Sequence, residues 1–250
     1  MKYDDVMKLA LERGFYFPSC EIYSDAQAGF WEYGPAGVSL KNKFLELWRR
    51  ELLRRDKMIE IDGSQIMSSS VFEASGHLTS FADPIVRCTK CKSTHRADRI
   101  ISELAKIEIP ESADLEEFDK VITEKNIKCP KCNSNFENTK KFNMMFQVGI
   151  GPEGEPAYLR PETCQSIFVD FPRLFKTMRG KLPLGIAQTG KSFRNEIAPR
   201  QSLLRLREFY QAEIEVFCNP AKLNDLDKFS EIQDTEIRIQ VNDEVKALTC

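Results

Sequence analysis

The stretch Leu184-Gly185-Ile186-Ala187-Gln188-Thr189-Gly190-Lys191-Ser192-Phe193-Arg194-Asn195-Glu196, with its continuation Leu204-Arg205-Leu206-Arg207-Glu208-Phe209-Tyr210-Gln211-Ala212-Glu213-Ile214-Glu215-Val216-Phe217, decides how this chain of 250 residues folds. Both runs have strand character, and the polar break Pro199-Arg200-Gln201-Ser202 between them predicts a long antiparallel hairpin. Side chains alternate between the faces of a strand. On the second run Arg205, Arg207, Phe209, Gln211, Glu213, Glu215 and Phe217 therefore share one face. Leu204, Leu206, Tyr210, Ala212, Ile214 and Val216, interrupted by Glu208, share the other, which reads as the core face. On the first run Arg194 and Glu196 share a face with Gln188, Gly190 and Ser192. One sheet surface then offers guanidinium forks for phosphate, an aromatic plate for a base and carboxylates for an amine. The same residue types also fit a solvated face laced with salt bridges, so charge by itself leaves both readings open.

Upstream, Tyr158-Leu159-Arg160-Pro161-Glu162-Thr163-Cys164-Gln165 reads as a strand-to-helix junction, with Arg160 and Glu162 on one strand parity and a helix over 165–176. Near the amino terminus Tyr3, Val6, Met7, Ala10 and Leu11 lie on one helical face. After Gly34-Pro35-Ala36-Gly37, Leu40, Phe44, Leu47, Trp48 and Leu52 mark a long amphipathic helix, and a short strand is expected over 58–61. His77, in Ala74-Ser75-Gly76-His77, reads as a turn residue with satisfied hydrogen bonds.

Residues 86–140 change character: charge density rises and two Cys-x-x-Cys pairs, Cys88/Cys91 and Cys129/Cys132, bracket weak helical patterning. Each pair is a tight turn aiming two thiolates at one point, and two such knuckles complete a tetrahedral four-sulfur zinc site that is closed and hence structural. Four reduced, unligated cysteines are the alternative. The 37 residues between the pairs exceed the spacing of about 15–20 usual for such sites, so the segment must loop out as an inserted subdomain. The division expected is 1–85 and 141–220 as parts of one main domain, 86–140 as the zinc subdomain, and 221–250 as the start of a further insertion or a truncated end.

The composition is that of a globular protein, 42% hydrophobic and 30% charged, which excludes a disordered or fibrous chain. A formal net charge of -2 provides no global basic field, so nucleic acid would have to be bound by a local patch. The basic residues around the knuckles (Lys90, Lys92, His95, Arg96, Lys128, Lys131) fit such a patch or, more simply, a solvated rim. Acids near the amino terminus and no membrane-length apolar run predict a cytoplasmic protein without membrane contact, a compartment where the two Cys-x-x-Cys pairs read as a metal site and not as disulfides.

Taken together these words resemble a family. Phe193-Arg194-Asn195-Glu196, then Arg207-Glu208-Phe209 and Ala212-Glu213-Ile214-Glu215, resemble motif 2 of class II aminoacyl-tRNA synthetases. Gly29-Phe30-Trp31-Glu32-Tyr33-Gly34-Pro35, Ala74-Ser75-Gly76-His77, Phe81-Ala82-Asp83-Pro84, His95-Arg96-Ala97-Asp98 and Leu159-Arg160-Pro161-Glu162-Thr163 narrow the resemblance to the homodimeric glycyl-tRNA synthetases, over residues 5 to about 220.

The resemblance implies an α/β (more strictly α+β) fold: an antiparallel sheet flanked by helices, with the zinc-binding insertion. It implies activation of glycine by ATP with Mg2+ to glycyl-adenylate, transfer to glycine tRNA, and a homodimer. It implies Arg194 as the catalytic contact to the α-phosphate, Glu196 near the adenine amino group, Phe209 stacked on adenine, and Asn195, Leu204, Arg205 and Leu206 along the ATP site. Glu162 and Glu213 are implied to hold the glycine ammonium, with Arg96 as a further substrate contact. Cys164 and Ser166 stand where the family usually has Ala and Gly, and Ser68-Ser69-Ser70 where motif 1 usually has its proline. No motif 3 and no anticodon-binding domain is found, so the arginine for the γ-phosphate is missing and the resemblance covers an amino-terminal half. The expectation is a piece of an enzyme; the alternative is a non-catalytic zinc module that binds tRNA or a partner.

Overall fold

A computed structural model describes residues 2–199, 202–222, 229–242 and 244–249. The chain starts with helix α1 (Tyr3–Glu12) and a ribbon of β1 (Tyr16–Pro18) and β2 (Trp31–Tyr33). Pro35 opens helix α2 (Pro35–Trp48), at a position where its missing N–H has no intrahelical partner to lose. A π-helical segment over Arg49–Arg54 prolongs it, as the periodicity through Leu52 predicts. Strands β3 (Ile59–Ile61) and β4 (Ile66–Ser68) and short helices α3 (Ser69–Ala74) and α4 (His77–Ser80) follow.

The cysteine-bearing segment is a unit with its own core. Strands β5 (Ala82–Arg87) and β6 (Thr94–Arg96), helices α5 (Ala97–Ala105) and α6 (Leu115–Glu124), and strand β7 (Lys140–Asn143) build it, with an antiparallel sheet in the order β6-β5-β7. Val86, Ala97, Ile100, Ile101, Ile109, Phe118 and Ile127 are buried together, and the partly buried residues packed on them also come from within this segment. Each such Ile or Phe contributes about 1.5–3 kcal/mol by leaving water, so the insertion carries a hydrophobic stabilisation of its own. Asp119 of α6 accepts hydrogen bonds from the Thr139 N–H at 2.7 Å and its hydroxyl at 2.6 Å, fixing the helix to the strand that leaves the unit.

The chain then forms β8 (Phe146–Ile150) and β9 (Glu155–Leu159), which join β4 in a sheet ordered β4-β9-β8. Helix α7 (Cys164–Thr177) leads to the hairpin of β10 (Leu184–Phe193) and β11 (Glu208–Phe217). The hairpin pairs Leu184 with Phe217 through to Phe193 with Glu208, and β10 runs parallel to β3 on its other edge. Ile167 of α7 is buried with Leu184 and Ile186, and Phe171 stacks on Phe217 with ring centroids 4.0 Å apart. Helix α8 (Phe229–Ile232) and the hairpin of β12 (Glu236–Val241) and β13 (Glu244–Thr249) follow, exposed along both strands. The architecture is thus mixed α/β, with antiparallel sheets and flanking helices. Among the described residues no helix is long and apolar enough to cross a membrane.

Two expectations are corrected. The second strand starts at Glu208, so Leu204, Arg205 and Leu206 precede it, with Leu204 in a short 3-10 turn (Ser202–Leu204). Likewise β10 stops at Phe193 and β9 at Leu159, leaving Arg194, Glu196, Arg160 and Glu162 just beyond strand ends. Nor is the apolar face of β11 the buried one, since no residue of the strand is fully buried. α7 covers the end of the polar face through Phe217, whereas Tyr210 and Val216 on the apolar face are 39% and 53% exposed. Alternation reports which residues share a face; which face is covered depends on where α7 packs.

Candidate active site

The junction between β9 and α7 lies over the middle of the β10–β11 hairpin. Arg160 makes that possible. It is fully buried, its Nε donates to the Lys191 carbonyl at 2.9 Å and its Nη1 to the Gly63 carbonyl at 3.0 Å. A Cβ on Gly190 would stand 2.2 Å from Arg160 Nη2, so only glycine lets the strand pass this guanidinium. Arg160 is therefore an interior strut, while Glu162, two residues on, faces the site and remains half-buried.

Glu162 accepts from the Cys164 thiol at 3.1 Å and from Gln165 Nε2 at 2.6 Å, and His77 Nε2 lies 3.2 Å from the same oxygen. His77, with help from Cys164 and Gln165, holds the Glu162 carboxyl at about 2, well below its ordinary range. Across from it, Glu213 accepts from the Thr163 N–H at 2.7 Å and the Thr163 hydroxyl, and its other oxygen accepts from Gln211 Nε2 at 2.9 Å. Oxygens of Glu162 and Glu213 and the sulfur of Cys164 lie within 4.8 Å of one another. Burial, then the charges of Glu213 and Glu162, push the Glu215 carboxyl up. The buried amide oxygens of Gln165 and Gln211 have no donor. The cluster is rich in acceptors and short of a cation.

Toward the open end of the hairpin, Arg194 Nε donates to the Pro161 carbonyl at 3.1 Å. Its guanidinium lies over two aromatic rings, 5.5 Å from the centroid of Phe81 and 5.4 Å from that of Phe209. The Asn195 N–H donates to the Met144 carbonyl at 2.8 Å, and Arg205 Nε donates to Glu196 at 2.9 Å. Arg207 clamps the loop: Nε to the Glu196 carbonyl at 2.9 Å, Nη1 to the Ala28 carbonyl at 2.8 Å, and its own carbonyl accepting from the Arg194 N–H at 2.9 Å.

Arg194, Asn195, Glu196, Arg205 and Phe209 thus form one group, with Glu162 and Glu213 further along the same sheet face. Leu206 and Phe209 border a cavity of about 420 Å³ with Trp31, Lys191 and Glu208. Leu204 points outward, 73% exposed. Arg96 is taken up by Asp83 at 3.1 Å, Asp98 at 2.7 Å and Glu111. It borders a separate cavity of about 740 Å³ beside Arg205. His77, Thr163, Cys164, Gln165, Arg207 and Gln211 contribute here without having been among the candidate site residues of the sequence reading. His77 was read as a turn residue, and its ring does receive the Ser75 contact at 2.9 Å, but its far nitrogen reaches Glu162.

Sulfur atoms of Cys88, Cys91, Cys129 and Cys132 also lie within 4.8 Å of one another. The two knuckles match: Lys92 and Asn133 both take a left-handed conformation, and the Cys88 and Cys129 N–H groups donate to the Ser93 and Ser134 carbonyls, each at 2.9 Å.

The description "tRNA synthetase class II core domain (G, H, P, S and T)" matches residues 123–236. The fold agrees: a threonyl-tRNA synthetase described as putative, from Aeropyrum pernix, superposes with a TM-score of 0.51 at 16% identity, over 90% of this chain and 37% of that one. Family match and fold likeness thus both point to class II tRNA synthetase cores as what this chain resembles. Among the proteins of that kind, the chain is similar to the glycine–tRNA ligases. It is 44% identical to that of Methanothrix thermoacetophila and 45% to that of Pyrococcus furiosus, in each case over 95% of its own length and 41% of the relative's. The chain thus spans about two-fifths of the length of these relatives, which are enzymes.

Proposed function

We propose that this chain holds the glycine and ATP sites of a glycine–tRNA ligase and brings the two substrates together to form glycyl-adenylate, which the whole protein transfers to glycine tRNA. The observation that carries the reading is the Glu162–Glu213 pair. Two anchored carboxylates and two amide oxygens without donors, Gln165 and Gln211, suit a small ammonium group. No side chain has to act as nucleophile, because the glycine carboxylate attacks the α-phosphate. Arg194 would stabilise the charge that builds there, Glu196 would meet the adenine amino group and Phe209 its ring, with Asn195, Arg205 and Leu206 bordering the nucleotide. Mg2+ enters as the counter-ion of the nucleotide's phosphates. Arg96 would first have to leave one of its three carboxylates to touch substrate.

The four-cysteine cluster fits zinc in its donor set, its separations and its paired knuckles; Cys88, Cys91, Cys129 and Cys132 would hold the ion as a structural staple for the 86–140 subdomain. Thiolates of this kind persist in the reducing cytoplasm, the location that goes with this reading. A second copy is proposed against α2, where Leu40, Phe44 and Leu47 are 59%, 61% and 46% exposed along one face.

Calorimetric titration with a non-hydrolysable glycyl-adenylate analogue, with the alanyl analogue as control, tests the reading. The glycyl compound is expected to bind at least about tenfold tighter. Glu213→Gln is expected to weaken it by roughly 10- to 100-fold while leaving ATP within about twofold. Equal losses for analogue and ATP would remove the ammonium role of Glu213.

A further inference from the structure

We propose that Glu162, Cys164 and Glu213 form a second metal site, one that takes a thiophilic divalent cation such as Zn2+ in competition with an ammonium group. The competition rests on the ammonium reading given above; the metal site does not.

The donor set is unlike that of the four-cysteine cluster. It combines one sulfur with two carboxylates, all within 4.8 Å, and Cys164 Sγ already lies 3.1 Å from Glu162 Oε1. A cation with bonds of about 2.0–2.3 Å holds tetrahedral ligand atoms about 3.3–3.8 Å apart, so the widest separation has to close by only about 1–1.5 Å. His77 lies outside this group of donors but supports it, its Nε2 standing 3.2 Å from the same Glu162 oxygen. Its side chain is 16% exposed and packed edge-on against Phe72.

Charge favours a cation. Glu162, Glu213 and Glu215 converge here, while Arg160, which feels the Glu213 charge, donates to the backbone carbonyls of Lys191 and Gly63. An independent sign comes from Gln165. It is 4% exposed, gives its amide hydrogen to Glu162 and leaves its amide oxygen without a donor in the interior. A buried acceptor in that state is a costly arrangement that a bound cation beside it relieves.

The thiol decides which cation. Magnesium and calcium prefer all-oxygen sites, whereas one sulfur with two carboxylates suits zinc or cadmium. Mg2+ accompanying ATP is therefore not a rival. On binding, the Cys164 S–H that now donates to Glu162 loses its proton to solvent and the sulfur electron pair goes to the metal. Each cation bound releases one proton from this thiol, and no oxidant or reductant takes part.

The experiment is a Zn2+ titration of protein already carrying one zinc, followed with a chromophoric zinc indicator and checked by metal content after desalting. A second equivalent is expected. Cys164→Ala and Cys164→Ser, both shown by circular dichroism to be folded, should take only the first. Millimolar Mg2+ should leave the second equivalent in place. The glycyl-adenylate analogue should weaken it by about tenfold or more.

A second equivalent that survives in both Cys164 variants overturns the proposal. So does the absence of a second equivalent in protein that still binds the analogue, a result that leaves the ammonium reading standing. Loss of the second equivalent in both variants without displacement by the analogue supports the metal site and removes the ammonium reading instead.

Discussion

Glu162 is ionised under the control of three neighbours, and His77 is the foremost. Its carboxyl sits at about 2 in the folded chain against an ordinary 4.5. A depressed carboxyl stabilises the fold above its unfolded value. The contribution of Glu162 is thus complete above about pH 4.5 and fades as the pH falls toward about 2. Replacing His77 by Phe keeps a ring among Phe72 and Phe81 while removing the nitrogen beside Glu162. The Glu162 midpoint, followed by carboxylate carbon NMR, is expected to rise by about one unit or more toward the ordinary value. An unchanged midpoint would show that Cys164 and Gln165 suffice.

At the scale of elements, β10 is the strand on which the site is built, since it pairs with β11 and β3 and passes over Arg160. Gly190→Ala puts a methyl group 2.2 Å from Arg160 Nη2. The variant is expected to lose about 1–3 kcal/mol of stability in urea unfolding, as overpacking does, and to weaken the glycyl-adenylate analogue because Arg160 positions the Glu162 junction. Much of this was legible beforehand. The hairpin, α1, α2 and the helices of the insertion follow from periodicity, and α7 from the run after Glu162, because these are local patterns that secondary structure imposes on the chain. Other features are long-range and leave no local trace. His77 meets Glu162 only because α4 packs on α3 and β7 while α3 packs on β9, Arg207 reaches Ala28 across most of the chain, and Arg96 finds Asp83 and Glu111 from segments other than its own. The exposed Tyr210 face of β11 belongs to the same class, since covering a face is a tertiary event.

At the scale of the molecule, the insertion and the exposed face of α2 make separate predictions. Purified protein is expected to carry about one zinc in its four-cysteine cluster. Chelation should strip hydrogen-exchange protection from α5 and α6 while leaving β10 and β11 protected, because the insertion has a core of its own. Protein without zinc and with four freely titrating thiols would remove that reading. Phe44→Glu is expected to abolish concentration-dependent association in sedimentation, without loss of helix content, if a second copy covers α2; association that persists would place the contact elsewhere. The resting position of Arg194 bears on the nucleotide site as a whole. Its guanidinium lies over both Phe81 and Phe209, so under the function proposed above a purine seated on Phe209 would have to displace it. In that reading the displaced side chain, still held by its backbone to Arg207, would be free to meet the phosphate that follows the base. Base recognition would then act as the trigger that arms the phosphate contact, and a bare triphosphate would find the arginine still engaged.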